Sequence, residues 1–233
     1  MCGRFNVSSS PLSDLLIELV GMAHPGPDNY NAAPTETVMV LRIGEEDQPE
    51  LAAMRWWLTP YWAKEVSAKY AMFNARSETV ERSPAFREPF KKRRCVVPIS
   101  GFYEWARSGN QKLAYYLTPQ EVPGLLLAGI WDRWHNTESG EVLDSFAVLT
   151  CPANEQLKFV HKRQPVMLSM IDAHRWLDVA VQTPEFKVLF DSCVPVQLNA
   201  VPVSSYVNNA RNKTARCFDP IGKSLGIAVD RPG

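Results

Sequence analysis

The second residue, in the opening MCGRF, offers the least ordinary chemistry in the chain. Aminopeptidases remove an initiating Met1 when the next residue is small, which would leave a chain that begins with Cys2. A terminal cysteine carries an α-amine and a thiol on adjacent carbons. The amine titrates near ~8 and the thiol near ~8.5, so both keep a usable nucleophilic fraction at neutral pH. With an aldehyde the amine forms a Schiff base, and the thiol then closes a five-membered thiazolidine. Many chains have a small second residue and an inert, flexible start, and Cys2 alone favours that plainer reading. The next residues shift the balance: Gly3 permits tight backbone geometry, Arg4 could meet a phosphate, and Phe5 could anchor the terminus in a core.

Three further clusters carry candidate groups. In AMFNARSETV, at 71–80, Asn74, Arg76 and Glu78 alternate, so an extended segment puts them on one face, whereas a polar loop would leave a solvated Arg–Glu pair. In SGFYEWARSG, at 100–109, Glu104 lies between Tyr103 and Trp105. Desolvation among aromatics raises a carboxyl pKa and suits a general acid. An amphipathic strand with Glu104 turned to water fits the same letters equally well. In FVHKRQPVML, at 159–168, His161 could serve as a base and Arg163 as a phosphate ligand, although a lone histidine beside apolar residues is more often structural. The run Lys91, Lys92, Arg93, Arg94 reads either as the edge of a nucleic-acid groove or as a solvated surface. Most of the seven tryptophans are expected in the core. Exposure of one or two among Trp56, Trp57, Trp62 and Trp105 would stack bases, at roughly 1–3 kcal/mol each.

These groups need a scaffold, and the composition supplies one. The 233 residues are 45% hydrophobic and 21% charged, which suits one domain, 1–233, with a real core. Lys plus Arg equals Asp plus Glu at 25 each, which argues against a wholly basic surface but allows a local basic groove. Five scattered cysteines have no metal-like or disulfide-framework spacing, so no metal site and no disulfide framework are expected, and a thiazolidine closure needs no cofactor. No secretory signal and no bilayer-length apolar run is visible, which predicts a reducing, cytoplasmic setting, at the nucleoid in a bacterium.

A first helix is predicted with Ser10 as cap, Pro11 at its first position, Leu12, Leu15, Leu16 and Leu19 on one face, and Gly21 as stop. TVMVLRI and ELAAMRWW, on either side of a turn-like GEEDQP, read as a hairpin. RCVVPI, KLAYYL, GLLLAGIW, VLDSFAVLT and PVQLNAVPV read as further strands. Two late helices are expected after Ser169 and Thr183, and the tail from about 222 to 233 is expected to be loosely ordered. The fold class is therefore α+β, with a mainly antiparallel, curved, barrel-like core and peripheral helices.

Taken in order, MCGRF, YNAAP, RWWLTPYWA, FNARSET, RRCVVPISGFYEW, VHKRQPVML and VPVSSYVNNARN resemble the SOS-response-associated peptidase (SRAP) family over nearly the whole chain. The resemblance implies shielding of abasic sites in single-stranded DNA by a thiazolidine crosslink to the terminal cysteine, with weak strand cleavage as a side activity. It implies Cys2 as nucleophile, Asn74 as the group positioning the terminus or the opened sugar, Glu104 as acid/base, and His161 as an aid to proton transfer. It further implies Arg4, Arg76 and Arg163 as phosphate ligands, Trp105 as a stacking wedge, abasic single-stranded DNA as partner, and a monomer. Trp57 stands where the family usually has Gly, and Lys162 and Gln164 where it usually has an acidic residue and Met. Two other classes compete: a cysteine amidohydrolase or peptidase with Cys2 as nucleophile and His161 as base, and a non-covalent single-strand-binding module.

Overall fold

The computed structural model describes residues 2–109 and 111–230. Alternating apolar residues make strands the dominant element. In chain order they are β1 (Phe5–Val7), β2 (Asn29–Ala32), β3 (Thr37–Ile43), β4 (Pro49–Trp56), β5 (Asn74–Arg76), β6 (Arg94–Ile99) and β7 (Gly101–Ser108). There follow β8 (Gln111–Pro119), β9 (Leu125–His135), β10 (Val142–Pro152), β11 (Arg163–Pro165), β12 (Met167–Leu168), β13 (Leu198–Val203) and β14 (Leu225–Ile227). The α-helices are α1 (Ser9–Val20), α2 (Arg87–Lys92) and α3 (Met170–Leu177).

Five strands close a barrel: β10 pairs with β4 in parallel, and antiparallel ladders run on through β3, β6 and β9 back to β10. The second sheet is open and antiparallel, in the order β14-β13-β8-β7-β1-β2. One hydrophobic cluster runs through both sheets. At its centre Phe5 of β1 meets Trp56 of the barrel at 4.2 Å between rings, and Trp56 stacks on Phe146 at 6.4 Å. The Trp56 indole N–H donates to the Phe73 carbonyl at 2.9 Å, so the burial leaves no unmet donor there. The start of the chain is thus fixed by a buried aromatic, worth roughly 1.5–3 kcal/mol. The α+β class with a barrel-like core and few helices is what the structure has.

The GEEDQP hairpin forms as β3–β4, and Ser169 caps α3 by accepting the Asp172 N–H at 3.1 Å. Three local expectations need correction. Helix α1 begins at Ser9 rather than after Ser10, because Asp28 in the following loop accepts the Ser9 N–H at 2.7 Å and replaces a local cap. Its apolar face and its stop are as read: Leu12, Leu15, Leu16 and Leu19 are buried, and Gly21 takes φ 74°. The segment Thr183–Phe190 is a 3-10 helix preceded by Gln182, not an α-helix capped by Thr183. The tail is pinned at least to Asp230, through β14 on β13 and a bridge between Val194 and Asp230; 231–233 lie outside the described residues. No helix among the described residues is long and apolar enough to cross a membrane.

Candidate functional site

Cys2 leads directly into β1, which is held between β2 and β7 through the pairs Phe5↔Ala32 and Phe5↔Phe102. The same packing that buries Phe5 buries Cys2 completely. Its carbonyl accepts the side-chain N–H of Asn74 at 2.8 Å. Asn74 opens β5, which lies parallel to β10 with Asn74 opposite Val148, so the barrel itself places this amide. The Asn74 Oδ1 atom is buried and has no partner among the described residues, an acceptor aimed beside Cys2.

Glu104 follows Phe102 on β7, and the two-residue period turns both inward, leaving Glu104 4% exposed. The water-facing alternative is therefore excluded. Burial raises the carboxyl pKa, and the nearby His161 works partly against that rise. Burial also pushes the Cys2 thiol well up, with the charge of Glu104 adding to it. That rise belongs to Cys2 as it follows Met1, not to a terminal cysteine. Met1 and its removal lie outside the described residues.

His161 follows the 3-10 turn Glu155–Leu157, which Asn154 caps by accepting the Gln156 N–H at 3.1 Å. Its Nδ1 lies 3.0 Å from the Arg163 backbone nitrogen and 3.2 Å from the Arg163 carbonyl oxygen, which fixes the ring against the strand that follows. The structure thus brings Cys2, Asn74, Glu104 and His161 into one neighbourhood from four separate stretches of sequence.

The arginines separate. Arg76 is exposed, and no side chain or carbonyl among the described residues binds its guanidinium. Arg163 instead forks onto Glu78 at 2.6 and 2.9 Å and donates to the Thr150 carbonyl at 2.6 Å. That pair holds the Glu78 carboxyl down to about 2. Arg4 donates to Asn31 Oδ1 at 2.8 Å and to the Val207 carbonyl at 2.9 Å, and its guanidinium lies 5.6 Å from the Trp105 ring centre. Arg4 and Arg163 therefore have protein partners where free phosphate ligands were expected, and the Arg76–Glu78 pairing considered from sequence does not form. Trp105 is half-buried, with its indole N–H on Asn208 Oδ1 at 2.7 Å. Trp56 is core, Trp57 packs on Phe73 at 5.4 Å, and Trp62 is exposed on a different loop. The run 91–94 divides: Arg93 pairs with Asp132 at 3.0 Å, and buried Arg94 ties carbonyls at the C-terminal ends of α2 and α3, so only its two lysines lie exposed. Gln164 has a physical account: its amide bridges the Asn154 N–H at 2.7 Å and the Cys193 carbonyl at 2.8 Å.

Glu104, Trp105 and His161 reach a cleft of about 740 Å³, in which six of the eleven lining residues are Lys or Arg. Arg107, Lys112, Lys158, Phe159 and Lys162 are the members that sequence reasoning missed as a group. A signal was present in the hairpin: Arg107 pairs directly with Lys112 across β7 and β8. Like charges opposite each other destabilise a ladder, which an anion in the cleft would relieve.

An α+β scaffold with a buried cysteine, and a buried carboxyl that lines a cationic cleft, defines the class of this protein. The chain belongs to the SOS response associated peptidase (SRAP) family, whose model matches residues 1–210. It is 31% identical over 227 residues to the Bacillus subtilis (strain 168) protein named abasic site processing protein YoaM, covering 94% of this chain and 98% of that one. It is 33% identical over 230 residues to abasic site processing protein HMCES of Gallus gallus, covering 85% and 67% respectively. A solved protein from Bacteroides thetaiotaomicron, 22% identical, shares the fold at a TM-score of 0.78 over 94% of this chain and all of that one.

Proposed function

We propose that this protein handles abasic sites in single-stranded DNA, and that it shields them by a covalent thiazolidine bond to Cys2 once Met1 has been removed. The observation that carries the reading is buried Glu104, which feels the charge of His161 and acts on Cys2, lining a cleft whose residues are mainly cations. The names of the relatives support the substrate.

An abasic deoxyribose opens to an aldehyde at C1′. The Cys2 amine adds to C1′, and the resulting carbinolamine loses its hydroxyl as water, with Glu104 donating the proton. Glu104, now a carboxylate, takes the thiol proton as sulfur bonds to the imine carbon. The imine nitrogen ends as a ring N–H, so the net change is loss of one water. A neutral carboxyl is needed first and a carboxylate second, which suits a group whose pKa burial has raised toward the working pH. Asn74 holds the Cys2 carbonyl and so aims the amine. His161 serves the opened sugar, and a Schiff base that fails to cyclise can undergo β-elimination, giving weak lyase activity. Arg76 and the cleft lysines meet phosphates, whereas Arg4 and Arg163 act as positioning residues.

The test mixes protein of mass-verified N-terminus with a single-stranded oligonucleotide bearing one abasic site, without reductant, on a denaturing gel. A slow band that Cys2→Ala abolishes is expected. Equal adduct from that variant, or none from the processed wild type, would overturn the reading.

A further inference from the structure

Phe159 stands in the cleft, 40% exposed as a residue, an expensive place for an aromatic side chain unless it has an occupant. Its exposure does not come from a loose loop. Leu157 and Val160 on either side are buried, and the Val160 and His161 N–H groups both donate to the Leu157 carbonyl, at 3.1 and 3.3 Å. The ring itself is braced edge-to-face on Tyr115, 5.2 Å between centres at 88°. Tyr115 is the cross-strand partner of Glu104, so the brace ties Phe159 to the strand that carries the carboxyl. Cations flank it: Lys162 is exposed two residues beyond Val160, and Lys158 precedes it, ion-paired with Glu155. A rigid ring set among cations in a groove has the composition of a platform for one nucleobase.

We propose that Phe159 stacks the base of a nucleotide adjacent to the abasic one, making a base-binding subsite that sets which lesion contexts are held tightly. This rests on the reading of the cleft as the place where abasic single strands lie. Stacking needs only a π-face, so the subsite accepts any base and binds a purine best, but it gains nothing from a second abasic position.

The experiment uses the processed full chain and fluorescein-labelled oligonucleotides carrying a tetrahydrofuran abasic analogue, which has no aldehyde and reports non-covalent affinity by anisotropy. The neighbours on each side are varied between adenine, thymine and a second tetrahydrofuran. On one side, the wild type should prefer adenine over the second tetrahydrofuran roughly five- to a hundredfold, the equivalent of one stacked base. Phe159→Ala and Phe159→Leu should lose that preference, and Phe159→Trp should restore it, with melting temperatures checked for each. A wild type with no neighbour preference, or a preference that survives in Phe159→Ala, overturns the subsite. The denaturing gel with a natural abasic site is run in parallel: a normal wild-type adduct beside a failed stacking test overturns the subsite alone. Absence of that adduct instead overturns the covalent reading, and absence of any binding overturns both.

Discussion

Cys2, Asn74 and Glu104 form a buried floor, set by strand ladders and shut away from water, of which Glu104 lines the cleft. At its rim, Arg76, Arg107, Lys112 and Lys162 stand on strand ends and turns with their charges in solvent. The two regions meet at Glu104 but are governed by different physics. Desolvation dominates the floor, so reactivity there depends on which protonation state the fold tolerates. Ionic strength dominates the rim, so affinity there comes as a sum of small, screened contributions. Substitutions should divide the same way, with floor changes altering rate at unchanged affinity and rim changes doing the reverse.

The largest separation is expected from Glu104→Gln. Loss of a general acid should slow adduct formation by about 10²–10⁴-fold in single-turnover gels, with little change in affinity for a tetrahydrofuran oligonucleotide. Equal losses in both measurements would dissolve the distinction between floor and rim.

The same substitution should alter stability with a definite sign. A carboxyl whose folded pKa lies above its ordinary 4.5 stabilises the fold fully below that value, and the contribution is lost as pH rises through the folded pKa. Thermal melts should therefore show Glu104→Gln gaining on the wild type as pH increases from about 4.5 toward neutral. A constant offset across that window would contradict the raised pKa.

Glu78 is the opposite case. Its carboxyl is held near 2 by Arg163, so its stabilisation is present above 4.5 and fades as pH falls through 2. Melts of Glu78→Gln should fall below the wild type at neutral pH and converge with it in acid. Because the Glu78 side chain is 47% exposed, the deficit should be modest and should shrink in salt.

The smallest effect is expected at the rim. Lys112→Ala should reduce the slope of log affinity against log salt by about 0.7 for each phosphate the lysine neutralises, leaving the rate of adduct formation from bound complex unchanged.

The same division explains what is legible in the sequence. Core strands and the leucine face of α1 have strong periodicity, and their positions follow from it nearly to the residue. Cys2, Asn74, Glu104 and His161 stand out by type and by the family resemblance, but their convergence is not readable, because it depends on barrel pairings such as Asn74↔Val148. The environments of the arginines are unreadable because a guanidinium looks alike in sequence whether it stands in solvent, as in Arg76, or is forked onto Glu78, as in Arg163. The cap of α1 is hidden for a similar reason: Asp28 reaches it from 19 residues away. Rim members such as Lys158 and Phe159 give no signal until the turn around Leu157 is folded.

The strand that buries Cys2 also sets a clock. β1 is made first, yet its partner across the Phe5↔Phe102 pair is translated 97 residues later. At ~5–20 residues per second, that gap leaves the β7 side of β1 open for roughly 5–20 s, longer still for tunnel transit, while β2 is already available on the other side. Any aminopeptidase acting on Met1 would have its best access in that interval, before β7 emerges and the ladder shuts. If Cys2 acts as a free terminal cysteine, slowing elongation ahead of residue 102 should raise the fraction of chains that lose Met1, as intact-mass spectrometry would read.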